Sequence, residues 1–149
     1  MKQDAGQGAH GGQGGQGGKL SGGCACGAVR YEAHGEPFHR TLCHCGDCRR
    51  ATGAPAVAWF SVRADALRWV RGRPRWRHSS LPVERAFCAE CGTQLVYRHA
   101  GYPDDVDITT CSLDDPDRAA PLDHTQAAAR MRWLHLADDW PVYPGWRVN

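Results

Sequence analysis

The spacing of the cysteines constrains this chain more than any other feature. They fall at Cys24-x-Cys26, Cys43-x-Cys45-x-x-Cys48 and Cys88-x-x-Cys91, with Cys111 standing alone. Two cysteines separated by one or two residues can direct both sulfurs at one ion about 2.3 Å away, and a tetrahedral Zn²⁺ site then needs a second pair from elsewhere in the chain. Cys88-Ala-Glu-Cys91-Gly92-Thr93 has the form of a zinc knuckle, in which Gly92 gives the permissive backbone that lets amide groups turn toward the thiolates. Seven clustered cysteines, however, do not divide by four.

Four thiolates close a structural zinc site, whereas three leave a position open to water or substrate. A division into four and three therefore points to chemistry. Joining Cys24 and Cys26 to Cys88 and Cys91 leaves the triplet Cys43, Cys45 and Cys48 as the open site. That is the most economical partition, because the triplet can converge on a metal from one local turn. Spacing leaves a second partition standing, in which His39, His44 or Cys111 completes a second closed tetrahedron and the protein is a zinc-stapled module without chemistry.

Disulfides are the competing use of cysteine, and compartment decides between them. The N-terminus carries no hydrophobic leader, so the expected location is the reducing cytoplasm, where closely spaced cysteines hold metal. The longest apolar run, Ala56 to Phe60, is far short of the roughly 20 residues of a membrane span. No membrane partner is expected.

The first 18 residues hold eight of the 18 glycines, and their only apolar side chains are Met1, Ala5 and Ala9. Such a stretch cannot bury enough surface to offset its ordering entropy, so residues 1–18 read as a disordered tail and 19–149 as one domain. In that domain Ala28–Ala33, Pro55–Val62, Leu67–Val70, Arg75–His78, Arg85–Phe87, Thr93–Tyr97 and Asp105–Thr109 are short and rich in aromatic and β-branched residues. They predict a mainly β, antiparallel domain organised around zinc. Helix is expected only as short turns: Asp47–Thr52 ending at Gly53, and Thr125–Leu134 behind a Thr N-cap. The closing Pro141–Trp146 reads as an extended segment packed on the body.

Six arginines between Arg63 and Arg77 flank Trp69 and Trp76, a mixture that can mark phosphate contact and base stacking. The plainer reading is a hairpin with Leu67, Trp69 and Trp76 inward and Arg68, Arg75 and Arg77 in solvent. A formal charge of only +2 argues the same way, and nucleic acid is not the expected partner. Cys111 reads as a small buried residue, Asp114 and Asp115 as turn formers, and His44 as oriented by its neighbours rather than as a ligand. His124 is a loop histidine with no evident partner.

The segments Gly22-Gly-Cys-Ala-Cys-Gly-Ala-Val-Arg-Tyr31, Cys43-His-Cys-Gly-Asp-Cys-Arg-Arg-Ala-Thr-Gly-Ala-Pro55, Phe87-Cys-Ala-Glu-Cys-Gly-Thr93 and Leu113-Asp-Asp-Pro116 resemble the glutathione-dependent formaldehyde-activating enzyme family, also called the centromere protein V domain. The resemblance covers about Ser21 to Tyr143. It implies an antiparallel β fold with two zinc ions, one structural on Cys24, Cys26, Cys88 and Cys91, the other catalytic on Cys43, Cys45 and Cys48. It also implies a carbon-sulfur lyase that forms or cleaves S-(hydroxymethyl)glutathione from glutathione and formaldehyde. Arg49 and Arg50, immediately after Cys48, are the expected partners of the glutathione carboxylates. The competing expectation is a catalytically silent zinc module that binds a partner or nucleic acid through the arginine-rich hairpin.

Overall fold

The computed structural model describes residues 18–148. The disordered tail expected over 1–18 lies, Gly18 apart, outside the described residues. Ten strands follow in order: β1 (Leu20–Gly23), β2 (Arg30–Ala33), β3 (Phe38–Cys43), β4 (Val57–Arg63), β5 (Leu67–Arg71), β6 (Arg75–Ser80), β7 (Val83–Phe87), β8 (Gln94–His99), β9 (Asp105–Thr109) and β10 (His124–Thr125). One helix, α1 (Gly46–Thr52), joins β3 to β4.

The strands form a three-stranded sheet, β1-β2-β5, and a seven-stranded sheet, β10-β3-β4-β9-β8-β7-β6. All pairings are antiparallel except β10 with β3. Alternation along the strands sends side chains to opposite faces of the large sheet. Phe60 and Val62 of β4, Ala86 of β7, Val96 of β8 and Val106 and Ile108 of β9 join Leu20, Tyr31 and Ala33 of the small sheet in one core. Phe60 and Ile108 are completely buried, each contributing about 1.5–3 kcal/mol. The intervening residues Val57 and Trp59 lie in a second cluster with Cys43, Cys48 and Tyr97. One face of the large sheet thus builds the core, and the other carries the triplet of cysteines.

All seven expected strands are present with small shifts of boundary. The expected hairpin of β5 and β6 is not: β5 pairs with β2 in the small sheet, and β6 pairs with β7 in the large one. Leu67, Trp69 and Trp76 still pack against the core, and Arg68, Arg75 and Arg77 are exposed, but on two sheets. The expected helix at Thr125–Leu134 is also corrected. Thr125 belongs to β10, and only a single 3₁₀ turn, Ala127–Ala129, follows. Gln126 sits at φ 54°, outside the helical region, and Gln126, Ala127 and Ala128 donate their N–H groups to the carbonyls of Gly145, Tyr143 and Pro144. Pro141–Tyr143 is extended, held by backbone bonds beside β10, but Pro144–Trp146 bends and Trp146 is largely exposed, so the segment is not extended or aromatic-anchored throughout as expected.

Candidate metal centres and the adjoining cavity

Cys24 and Cys26 follow β1, and Cys88 and Cys91 occupy the turn between β7 and β8. That turn closes through Cys88 N–H to Thr93 O (3.0 Å) and Gly92 N–H to Cys88 O (2.8 Å), with Gly92 at φ 81°, where a side chain would be strained. The four sulfurs lie within 4.8 Å of one another. Cys24 Sγ is 3.6 Å from Cys26 Sγ, which is 3.9 Å from Cys88 Sγ. Sulfurs on a tetrahedral zinc stand about 3.8 Å apart, given bonds of about 2.3 Å, so the donors and their spacing fit that ion. Cys24 Sγ also accepts Val29 N–H at 3.3 Å. The Thr93 hydroxyl, 3.2 Å from Cys91 Sγ, leads the contacts that pull this thiol down to about 5, toward the ligating form.

Cys43, Cys45 and Cys48 form the second group, again within 4.8 Å. Cys43 ends β3, and Cys45 is the N-cap of α1, its Sγ accepting Cys48 N–H at 3.2 Å. Gly53 terminates the helix at φ 71° and donates to Arg49 O. A seven-residue helix capped at both ends thus fixes Cys45 and Cys48 against the end of β3. Hydrogen bonds from Cys43 and Cys48 pull the Cys45 thiol down to about 2, while the same contact with Cys45 drives Cys43 far above the ordinary thiol range. Sulfurs this close all ionise only around a shared cation. Among the described residues no fourth His, Cys, Asp or Glu joins the group.

Arg85, 4% exposed on β7, brings Nη2 to 3.7 Å from Cys48 Sγ and stacks over the Tyr97 ring at 5.1 Å. A buried guanidinium requires a counter-charge, which the triplet would supply once its sulfurs ionise around a metal. Nothing local in the sequence marks Arg85, because only the register of β7 with β8 puts it on the triplet's face. Arg85→Met is expected to weaken metal binding at the triplet about 10- to 100-fold without unfolding the domain, measured by competition with a chromogenic chelator.

A cavity of about 430 Å³ adjoins the triplet, lined by Cys43, Cys48, Trp59, Ser61, Tyr97 and Asp107, with His39, Arg98 and Arg147 also on its wall. Arg49 and Arg50 are not on it. Arg49 turns Nη1 to Met131 Sδ (3.3 Å), and Arg50 is exposed. Each residue advances about 100° around a helix, so neighbours of Cys48 cannot share its direction. Arg98 and Arg147, the arginines on the wall, also pair with Glu84 and Asp123. Nothing in their spacing marked them, since they come from β8 and the C-terminal segment.

Cys111 is exposed, not buried, on the wall of a separate 590 Å³ cavity beside Cys24 and Cys91. Asp114 grips the Arg30 guanidinium with both oxygens. His44 is fully buried with Nε2 2.9 Å from His124 Nδ1, and His124 Nε2 is 3.0 Å from Asp138. Neither histidine belongs to a sulfur group.

Comparison with known proteins agrees with this geometry. The family described as glutathione-dependent formaldehyde-activating enzyme matches residues 19–128. A Halomonas elongata protein named "Putative glutathione-dependent formaldehyde-activating enzyme" is 30% identical over 132 residues, covering 78% of this chain and 80% of its own. An uncharacterised lyase of Schizosaccharomyces pombe is 30% identical over 81 residues, 54% of this chain and 58% of its own. The crystal structure of a Rhodobacter sphaeroides protein, 26% identical, superposes with a TM-score of 0.53 over 63% of this chain and 87% of the other. With its β fold and two sulfur clusters able to hold metal, the chain belongs to the glutathione-dependent formaldehyde-activating enzyme family.

Proposed function

We propose that the protein is a zinc-dependent carbon-sulfur lyase that forms or cleaves S-(hydroxymethyl)glutathione, working in the cytoplasm. Family membership supports a formaldehyde-activating, lyase-type role. The observation that carries the finer reading is the convergence of Cys43, Cys45 and Cys48 beside the 430 Å³ cavity with no fourth protein ligand among the described residues. In this reading Cys24, Cys26, Cys88 and Cys91 hold a structural zinc, and the triplet holds the catalytic one. A zinc held by Cys43, Cys45 and Cys48 would supply an open position that favours the ionised form of a thiol substrate.

The residues around the triplet then have defined tasks. Arg85 offsets the negative charge of the triplet from the protein side. Trp59 and Tyr97, edge to face at 6.1 Å, form an aromatic wall that keeps water from the reacting carbon. Arg147, on the cavity wall, joins Arg49 and Arg50 as a candidate partner for the glutathione carboxylates. The catalytic demand is modest. Thiols add to formaldehyde unaided, so a thousandfold enhancement needs only about 4 kcal/mol of extra transition-state stabilisation.

Zinc analysis of the purified chain together with exchange NMR of glutathione and ¹³C-formaldehyde tests the reading. Two zinc ions per chain are expected, with adduct exchange faster than in protein-free buffer. A chain with both ions that left the exchange rate unchanged would overturn it.

A further inference from the structure

The addition of a thiol to an aldehyde leaves one task that the cysteines do not perform. The carbonyl oxygen must gain a proton as the S–C bond forms, and lose it when the bond breaks. We infer that the Asp107 carboxyl is the group that gives this proton to the hydroxymethyl oxygen and takes it back in the reverse direction. The inference rests on the thiol-aldehyde reading above and assigns to it a catalytic residue.

Position is the first argument. Asp107 lies on the cavity face of β9, opposite Ser61 on β4 and Tyr97 on β8, and Tyr97 in turn lies opposite Arg85. Arg85 reaches Cys48 Sγ. Neighbouring strands are about 4.8 Å apart, so two strand spacings, roughly 10 Å, separate the Asp107 position from the one that contacts the triplet. The same cavity is lined by Asp107, Ser61 and Tyr97 and by Cys43 and Cys48, so the carboxyl and the triplet face one space.

Chemistry is the second. Asp107 Oδ1 accepts the Ser61 hydroxyl at 2.5 Å, and among the described residues its other oxygen has no hydrogen-bond partner. Burial raises the affinity of this carboxyl for its proton, and Asp105 on the same strand adds to that, while Ser61 and His39 oppose it. Tyr97, its neighbour on β8, is worse suited. Burial pushes Tyr97 up to about 12, so it does not readily ionise between turnovers. Arginine keeps its proton, and the Trp59 Nε1–H, buried without an acceptor, can steady the oxygen by a hydrogen bond but cannot transfer a proton to it.

The step balances without another reactant. A sulfur lone pair forms the S–C bond, the carbonyl π pair moves onto oxygen, and the oxygen takes the Asp107 proton. The proton that the thiol sheds on entering the site restores the carboxyl. Nothing is oxidised or reduced.

Asp107→Asn keeps the side-chain shape and an acceptor for Ser61 but removes the transferable proton. It is expected to lower kcat for adduct interconversion about 100-fold or more, with KM and zinc content near wild type. Infrared spectra of the zinc-loaded protein give an independent reading. A carboxylic-acid stretch should persist in the wild type above the pH at which an ordinary aspartate ionises, and be absent from the variant. Ser61→Ala, which removes a hydrogen bond favouring the charged carboxylate, should move that transition to higher pH, and this variant decides the matter should Asp107→Asn fail to fold. An Asp107→Asn protein with undiminished kcat, or with a raised KM alone, overturns the assignment, as does an unmoved transition in Ser61→Ala. Wild-type protein that does not accelerate the exchange retires the proposed function itself, a distinct result.

Discussion

Cys45→Ser is expected to release one of two zinc ions and return thiol-aldehyde exchange to the protein-free rate, while leaving the fold in place. The two halves of this expectation have separate causes. Cys45 is the sulfur that its neighbours hold most strongly in the ionised form, so replacing it removes the charge around which the triplet is arranged. A hydroxyl does not ionise at neutral pH and binds zinc poorly, and two remaining thiolates do not hold the ion in competition with water. The structural cost is small. Cys45 caps α1 by accepting Cys48 N–H, and serine is among the best residues for that position. Its loss also leaves the main core untouched, because the triplet sits on the other face of the sheet. Zinc analysis, circular dichroism and exchange NMR on one sample read the three consequences together. Retained exchange in a folded variant carrying one zinc would sink the three-sulfur site as the seat of catalysis.

The sequence showed the cysteine groups and most of the strands because both are local signals. Cys43-x-Cys45-x-x-Cys48 comes together within one strand end and one helical turn, so its spacing nearly specifies its geometry. Asp105–Thr109 alternates cleanly and its bounds in the structure are those of the sequence reading. The elements that escaped notice break the local rules. β1 ends in two glycines, which favour no strand, and β10 is two residues long with its partner some 80 positions away. β3 carries a register shift between Phe38 and Thr41, with His39 at φ 46°, so its alternation is interrupted in the sequence itself.

The cavity was illegible for a related reason. Its wall draws on β3, β4, β8, β9 and the C-terminal segment, and only strand register brings Tyr97, Asp107 and Ser61 into one row. Arg49 and Arg50 adjoin Cys48 in sequence, but successive residues of a helix diverge in space and neither is on the cavity wall. Close cysteine groups can thus be read from local spacing, whereas the lining of this cavity is set by pairing between strands.

Cys88→Ser is expected to have the opposite character from Cys45→Ser, destabilising the whole domain rather than silencing it. Cys88 is completely buried, packs in the main core, and lies 62 residues from its sulfur neighbour Cys26. The four-sulfur group joins the end of β1 in the small sheet to the turn between β7 and β8 in the large one, so a metal there acts as a cross-link between the two layers. Binding of structural zinc is coupled to folding and is worth about 10–16 kcal/mol in small zinc modules, as much as the entire net stability of a typical domain, about 5–15 kcal/mol. Removing one sulfur forfeits much of that term, and the new hydroxyl is left in an apolar site at a further cost of about 1–3 kcal/mol. A fall in Tm of at least about 10 °C is expected, at roughly 3 °C per kcal/mol for a domain of this size, together with loss of both ions as the layers separate. Cys91→Ser, at an exposed position, should lower Tm by less. A Cys88→Ser protein that melted at the wild-type temperature with two zinc ions bound would show that the sheets are joined by their apolar core alone.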